Sequence, residues 1–361
     1  MFSLFWPLKL VFGIFRFFLN LVLFLTFIFT IMALMGDKGW LWSLTTHFRV
    51  QYLAIQLFAF VLASLAYCKK SSRKEPIGLE SRVSLAVLTF FAGLNLAVIA
   101  PYYMPLHEGQ VTPATKGHLK LMHSNLFGMI NHNVDGVIEA IRANDPDIID
   151  LVEYTEPWQA KLEQSGVFRK YPYRFAGRGH IGLYSKIPLS HTQLVFTSAT
   201  RKVSNQANII AQVRMGGEPV TILVAHPASP IMPSHLEWLQ NSFSVWEKER
   251  PHLGKNLIIV GDLNTTPWSV EFHQLTQSTG LRDSQLGFGL QPSWPMIMPA
   301  IGLKESPTLI TNLMTIPIDH VLISPQLAVY SRKTGPFVGS DHLPVIIELG
   351  LNPPHQIAHA R

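Results

Sequence analysis

The chain has 361 residues, 48% of them hydrophobic, and a formal net charge of +6. Its single cysteine, Cys68, excludes an internal disulfide and a thiolate zinc centre. The positive charge is not a nucleic-acid footprint: nine basic and three acidic residues precede Glu108, leaving twenty of each in the remainder.

Residues 11–35, 50–68 and 83–103 form three apolar runs, each near the roughly 20 residues that cross a bilayer as a helix. Arg16 and Asn20 interrupt the first run, so its distal part carries that span. A cleaved signal peptide is disfavoured, because no small-residue cleavage site is evident and two more spans follow. Lys69, Lys70, Arg73, Lys74 and Arg82 crowd the second connection, while the first has only Lys38 and Arg49 against Asp37. The positive-inside rule then puts the N-terminus and second connection in the cytoplasm. The expectation is a multi-pass protein of the inner (cell) membrane, with everything after Pro105 periplasmic or extracellular. The expected divisions are an anchor at 1–107, a linker at 108–117, a catalytic domain at 118–350 and a tail at 351–361.

Beyond the linker, alternation at 118–127 predicts a strand. Val134, Val137, Ile138 and Ile141 fall at helical spacing, which predicts an amphipathic helix over 133–143. A short strand at 147–153 ends on Glu153, and a helix follows at 156–164. Strands are expected at 180–185, 194–197, 208–214 and 220–226, then a helix opening at Pro233. A buried-type strand at 256–261 precedes a helix capped by Thr266 with Pro267 at its first position. Strands at 318–323 and 343–349 close the domain. Many strands, interspersed helices and few uninterrupted βαβ units define an α+β class with antiparallel sheets.

Several strand ends carry polar residues that an apolar core would not select: Asn125, Glu153, His226, Asp262 with Asn264, Asp319, and Asp341 with His342. Each has an ordinary reading. Asn125 suits a turn, Glu153 suits solvent, His226 before Pro227 caps a loop, Asp262 and Asn264 make an Asx turn, and Asp319 pairs with neighbouring His320. Asp341 and His342 resist such a reading, because they precede a strongly apolar strand. Carboxylates, amides and imidazoles brought together from these ends are the groups needed to hold a divalent cation, a phosphate and an attacking water. They point to metal-dependent cleavage of a phosphate ester. His191, His235, His252 and His273 read as surface or helix-face residues. The apolar tract 288–301, with Trp294, Met296, Ile297 and Met298, reads as a packed loop or as a rim for lipid or substrate.

In order along the chain, Ser124-Asn125, Asp147 to Glu153, Ala225-His226-Pro227, Gly261-Asp262-Leu263-Asn264, Ile318-Asp319-His320-Val321 and Ser340-Asp341-His342-Leu343-Pro344 resemble the motifs of the endonuclease/exonuclease/phosphatase family. That family includes deoxyribonuclease I-type nucleases, abasic-site endonucleases, neutral sphingomyelinases and inositol-polyphosphate phosphatases. Asn264 to Ser269 and Pro292 to Pro295 look like its bacterial membrane-anchored branch. The resemblance implies a four-layer sandwich, helix–sheet–sheet–helix, with the site at one end of the paired sheets. It implies Mg²⁺ (or Mn²⁺) held by Glu153 with Asn125 and Asp341 close by. His342 would be base or phosphate contact, oriented by Asp319; Asp262 would align or deprotonate the water; Asn264 would donate to a phosphoryl oxygen; and His226 would stabilise growing charge or protonate the leaving oxygen. Phe127 stands where some members carry an acid, and the acid that faces the central histidine in some nucleases has no evident counterpart, leaving Arg178 or His180 to compensate. The function expected is a membrane-anchored phosphodiesterase. A nuclease on extracytoplasmic DNA or RNA and an inactive binding module are the alternatives. The expected partners are the bilayer and a phosphate-ester substrate, lipid head group or nucleic acid; no protein partner is inferred.

Overall fold

A computed structural model describes residues 6–105, 111–177, 179–196 and 207–352. The chain divides into two units, Met1–Pro101 and Tyr102–Arg361. Arg178, Thr197 at the end of one expected strand, residues 108–110 of the expected linker and residues 353–361 of the expected tail lie outside the described residues.

The first unit is helical: α1 (Trp6–Leu34), α2 (Trp40–Thr46), α3 (Arg49–Ser72) and α4 (Leu79–Ile99). Among the described residues, three helical segments, Arg16–Leu34, Arg49–Ser72 and Leu79–Tyr103, are long and apolar enough to cross a membrane. The short α2 was not expected; its seven residues are too few to show a period beside the long apolar runs.

The second unit contains β1 (Lys116–Asn125), α5 (Val134–Asn144), β2 (Ile148–Val152), α6 (Glu156–Gln164), β3 (Tyr173–Gly177), β4 (Ile181–Ser185), β5 (Ser190–Val195), β6 (Asn208–Met215), β7 (Glu218–Ala225), α7 (Pro233–Glu249), β8 (Leu257–Asp262), α8 (Val270–Thr279), β9 (Arg282–Asp283), α9 (Leu309–Met314), β10 (Asp319–Ile323), β11 (Leu327–Thr334) and β12 (Val345–Leu351). The strands form two six-stranded sheets, in the orders β11-β12-β1-β2-β4-β3 and β5-β6-β7-β8-β10-β9. Among the described residues, only β1 with β2 and β7 with β8 pair in parallel; the other pairs are antiparallel.

The period of two explains the layering. Leu119 and Leu121 of β1, Ile148 and Val152 of β2, Ile258 and Val260 of β8, and Val321 and Ile323 of β10 join one core between the sheets. The intervening Met122, Ile149 and Leu151 pack with Val137 and Ile141 of α5 and Trp158 and Leu162 of α6. On the other sheet, Leu223, Ile259 and Leu322 pack with Leu239, Phe243 and Trp246 of α7 and Phe272 and Leu275 of α8. The result is the expected four-layer α+β sandwich.

One local expectation is corrected. The cap of α8 is Ser269, whose Oγ accepts the Phe272 N–H at 3.1 Å, rather than Thr266. Thr266 lies in the preceding turn, its carbonyl accepting the Ser269 N–H at 3.0 Å. The tract 288–301 is mainly a packed loop, with Met296 and Ile297 buried; Ile301 is exposed, as are Leu309 and Ile310 of α9.

Candidate active site

The polar cluster is built by strands that keep their inward face to the end. After Leu121, the next inward positions of β1 are His123 and Asn125; on β2, Asp150 lies between Ile148 and Val152. On β8, Asp262 follows Val260 by two residues. The antiparallel β10 begins opposite it, with Asp319 paired to Asp262. His226 follows Val224 on the inward face of β7. Gly261 is required where β8 passes β7: its φ is +153°, and a Cβ there would stand 1.8 Å from the Ala225 carbonyl oxygen.

Asn125 ties the two sheets together. Its Nδ2 donates to Glu153 Oε1 and to Asp262 Oδ2, both at 3.1 Å, and lies 3.5 Å from His342 Nε2. Its Oδ1 accepts the Phe127 N–H at 2.9 Å. The amide nitrogen thus faces the acids, and the bond from the Phe127 N–H occupies one of the two lone pairs of the oxygen. His226 Nε2 is 3.5 Å from Asp262 and 3.9 Å from Glu153. These two carboxylates face the central histidine, and His180 lies exposed in the turn before β4. His342 Nδ1 meets Asp319 Oδ2 at 2.8 Å, while its Nε2 is 3.6 Å from Asp262 and 3.9 Å from Asp341 Oδ1. Asp319 therefore pairs with His342, and His320 turns to the opposite face, on the Thr265 carbonyl at 2.8 Å. Asn264 donates its backbone N–H to Asp262 Oδ1 at 2.9 Å and its side-chain amide to the Pro227 carbonyl at 3.0 Å. Phe127, Glu153 and Asn264 all have left-handed backbone, with φ of 50°, 52° and 52°, a cost accepted most often at functional positions.

The electrostatics follow from burial and crowding. Burial would lower His342, but Asp319, Asp262 and Asp341 outweigh it and hold the ring well above its ordinary pKa. His226 is raised in the same way, chiefly by Asp262 against burial. Burial pushes Asp341 up to about 6, although His342 and Trp294 oppose the shift.

The donor set suits a hard cation. Asp262, Asp319 and His342 present ligand atoms within 4.8 Å of one another. In that trio both Asp319 oxygens already accept from histidines. By contrast, Asp341 Oδ1 is buried with no hydrogen-bond partner, and the Glu153 side chain is only one-third exposed. An orphaned carboxylate oxygen beside further carboxylates is a place that a divalent cation satisfies.

Some members of the cluster were missed in the sequence. Trp294 Nε1 donates to Asp341 Oδ2 at 3.0 Å, and Ser340 Oγ donates to the Asn125 carbonyl at 2.8 Å. His123 and Asp150, both fully buried, lie directly beneath Asp319. The available signal was parity: a charged residue at an inward core position of a strand demands a partner.

This fold and polar cluster define a metal-dependent phosphoric ester hydrolase. A sequence profile of the Endonuclease/Exonuclease/phosphatase family matches residues 129–342, and the chain belongs to that family. Among solved structures, it resembles an endonuclease/exonuclease/phosphatase from Beutenbergia cavernae, with 18% identity, a TM-score of 0.50, and coverage of 66% of this chain and 72% of that one. It also resembles TDP2 of D. rerio complexed with single-strand DNA product, with 14% identity, a TM-score of 0.53, and coverage of 64% and 98%. A family protein from Bacteroides thetaiotaomicron gives 16% identity, a TM-score of 0.51, and coverage of 66% and 99%. At these identities the likeness is one of fold. No curated protein matches the chain by sequence.

Proposed function

We propose that the protein is a membrane-anchored, Mg²⁺-dependent phosphodiesterase whose catalytic domain faces the periplasm or the cell exterior. The observation that carries this reading is the meeting of Glu153 from one sheet and Asp262 from the other on a single amide, Asn125 Nδ2, at 3.1 Å each. Glu153 and Asp341 would hold the ion, Mg²⁺ by preference for their oxygens and Mn²⁺ as the alternative. When bound, the ion supplies charge neutralisation at the phosphoryl oxygens and a more acidic water. Asp262 orients the attacking water and takes its proton. Asn125 keeps the acids spaced. His342, held through Nδ1 by Asp319, presents Nε2 to the phosphate. His226, poised between Asp262 and Glu153, donates to the oxygen that gains charge. Asn264 provides the further donor to a phosphoryl oxygen.

A lipid phosphodiester is the favoured substrate class. Three candidate spans keep the chain at a bilayer, the catalytic half has no excess of basic residues, and exposed Ile301, Leu309 and Ile310 suit an apolar neighbour. DNA, to which the D. rerio protein is bound as product, is the other arm of the test. The full chain in detergent, with Mg²⁺, should hydrolyse a lipid phosphodiester in preference to plasmid or single-stranded DNA and stop on addition of EDTA. Cleavage of DNA alone would replace the lipid reading. Failure on every phosphoester would favour the binding-module alternative. Alkaline phosphatase fused after Pro113 should be active; an inactive fusion beside an active cytoplasmic control would reverse the topology.

A further inference from the structure

Beneath the site, four buried side chains form one continuous line. Asp150 Oδ1 meets His123 Nδ1 at 2.5 Å. His123 Nε2 meets Asp319 Oδ1 at 3.0 Å. Asp319 Oδ2 meets His342 Nδ1 at 2.8 Å. Asp150, His123 and Asp319 have essentially no solvent exposure, and His342 has 4%. His123 and Asp150 are register partners on parallel β1 and β2, whereas Asp319 comes from the other sheet.

The geometry points to His123, held by Asp150, as a positioning residue that locks the Asp319 carboxylate and thereby aims the His342 ring. A carboxylate with one ordered partner can still rotate about its own axis. Asp319 has a histidine on each oxygen, so turning it breaks two buried hydrogen bonds. His123 in turn has a carboxylate on each ring nitrogen, so its ring cannot flip or tilt without exposing a buried charge. The imidazole that faces the phosphate is thus referenced to strands of both sheets rather than to one side chain. His320 shows what a merely structural histidine looks like here. It is equally buried, bonds one backbone carbonyl through Nε2, and leaves Nδ1 without a partner.

The inference rests on the hydrolase reading of His342 for its activity arm only. The full chain in detergent, labelled with ¹⁵N-histidine, gives the other arm; the His342 ring signals are assigned by their loss in His342→Gln. In His123→Gln, which cannot bridge two carboxylates in the same way, the His342 ring signals should shift and broaden. With bis(p-nitrophenyl) phosphate and Mg²⁺, kcat per folded molecule should fall on the order of tenfold with KM little changed, as for partners that orient a reacting group. If His123→Gln does not fold, Asp150→Asn takes its place. That change preserves the shape but removes the charge that anchors the ring, and it should give the same displacement to a smaller degree. A folded variant with altered thermal stability, unmoved His342 signals and unchanged kcat would assign His123 to the core alone and overturn the proposal. A wild-type chain inactive on the probe would count against the phosphodiesterase reading, while the ring signals would still decide the positioning role.

Discussion

In the N-terminal unit, Asn95 Nδ2 reaches Gln56 Oε1 and Thr30 Oγ1 at 3.0 Å each, and Gln56 Nε2 reaches Thr26 and Thr30 hydroxyls at 3.3 and 3.2 Å. In the catalytic unit, the buried polar line runs Asp150, His123, Asp319, His342. Both are enclosed by apolar surroundings, but the first is almost wholly neutral amide and hydroxyl, with Arg49 joining at the start of α3 through Asn95 Oδ1. The second is almost wholly ionisable. Neutral groups that satisfy one another lose little on burial and hold helices in register. Buried charges lose far more, and an apolar replacement would often be as stable. The difference teaches that the polar groups of the N-terminal unit satisfy one another between helices, whereas under the function proposed above those at the sandwich end serve chemistry.

The sharpest test of that contrast is Glu153→Ala. The side chain is partly exposed and packs into no core, so the unfolding temperature should stay within a few degrees. Turnover should fall by about a hundred- to a thousandfold, the loss typical of removing one main stabiliser of transition-state charge. A large fall in stability with modest loss of turnover would reverse the assignment. Gly261→Ala should do the opposite. Its Cβ would meet the Ala225 carbonyl at 1.8 Å, which forces β7 and β8 apart and costs on the order of 3 kcal/mol. Denaturant unfolding reads this directly, and an unchanged midpoint would show that the two strands approach less closely than described.

The ionisable line also makes a prediction that the neutral one cannot. Burial would lower His123, but Asp150 and Asp319 carry its pKa up to about 10. A histidine raised on folding contributes stability that is complete below its unfolded pKa, near 6.5, and is lost as pH rises through the folded value. The stability advantage of wild type over His123→Gln should therefore be largest at and below about pH 6.5, shrink through neutrality and be nearly gone near pH 10. An advantage that grows with pH would mean that the ring is buried neutral.

How much of this was legible in the sequence depends on which physical signal each residue carries. The long apolar helices were legible because apolar length is a strong signal, and α2 was not because seven residues are too short. Strands β1, β2, β4, β7, β8 and β10 were legible from apolar runs bounded by polar residues. β9, with two residues, and β11, where Tyr330-Ser331-Arg332-Lys333 breaks the alternation, depend on their neighbours for their form. Thr266-Pro267 carried a cap signature that Ser269 fulfils instead, because the Oγ of Ser269 reaches Phe272. At the site, residues that end strands stood out as polar interruptions. His123 and Asp150 lie within strands, so inward parity alone marked them, and their partner is fixed only when β10 brings Asp319 between the sheets.

The smallest expected effect lies in the N-terminal unit. Asn95→Leu removes the amide that joins Thr30, Gln56 and Arg49, yet leaves an apolar side chain of similar size. Interhelical hydrogen bonds inside membranes contribute about 0.6 kcal/mol on average and up to about 1.7. The variant should lose stability in that range by steric trapping or denaturant unfolding in detergent, and kcat on bis(p-nitrophenyl) phosphate should not change. Leaving Gln56 Oε1 without the Asn95 amide adds to the loss, so Gln56→Leu in the same background should recover part of it, as expected when a buried network is removed whole rather than broken. A fall in kcat with either variant would mean that the bundle does more than hold its helices together, and the division of labour between neutral and charged interiors would then fail.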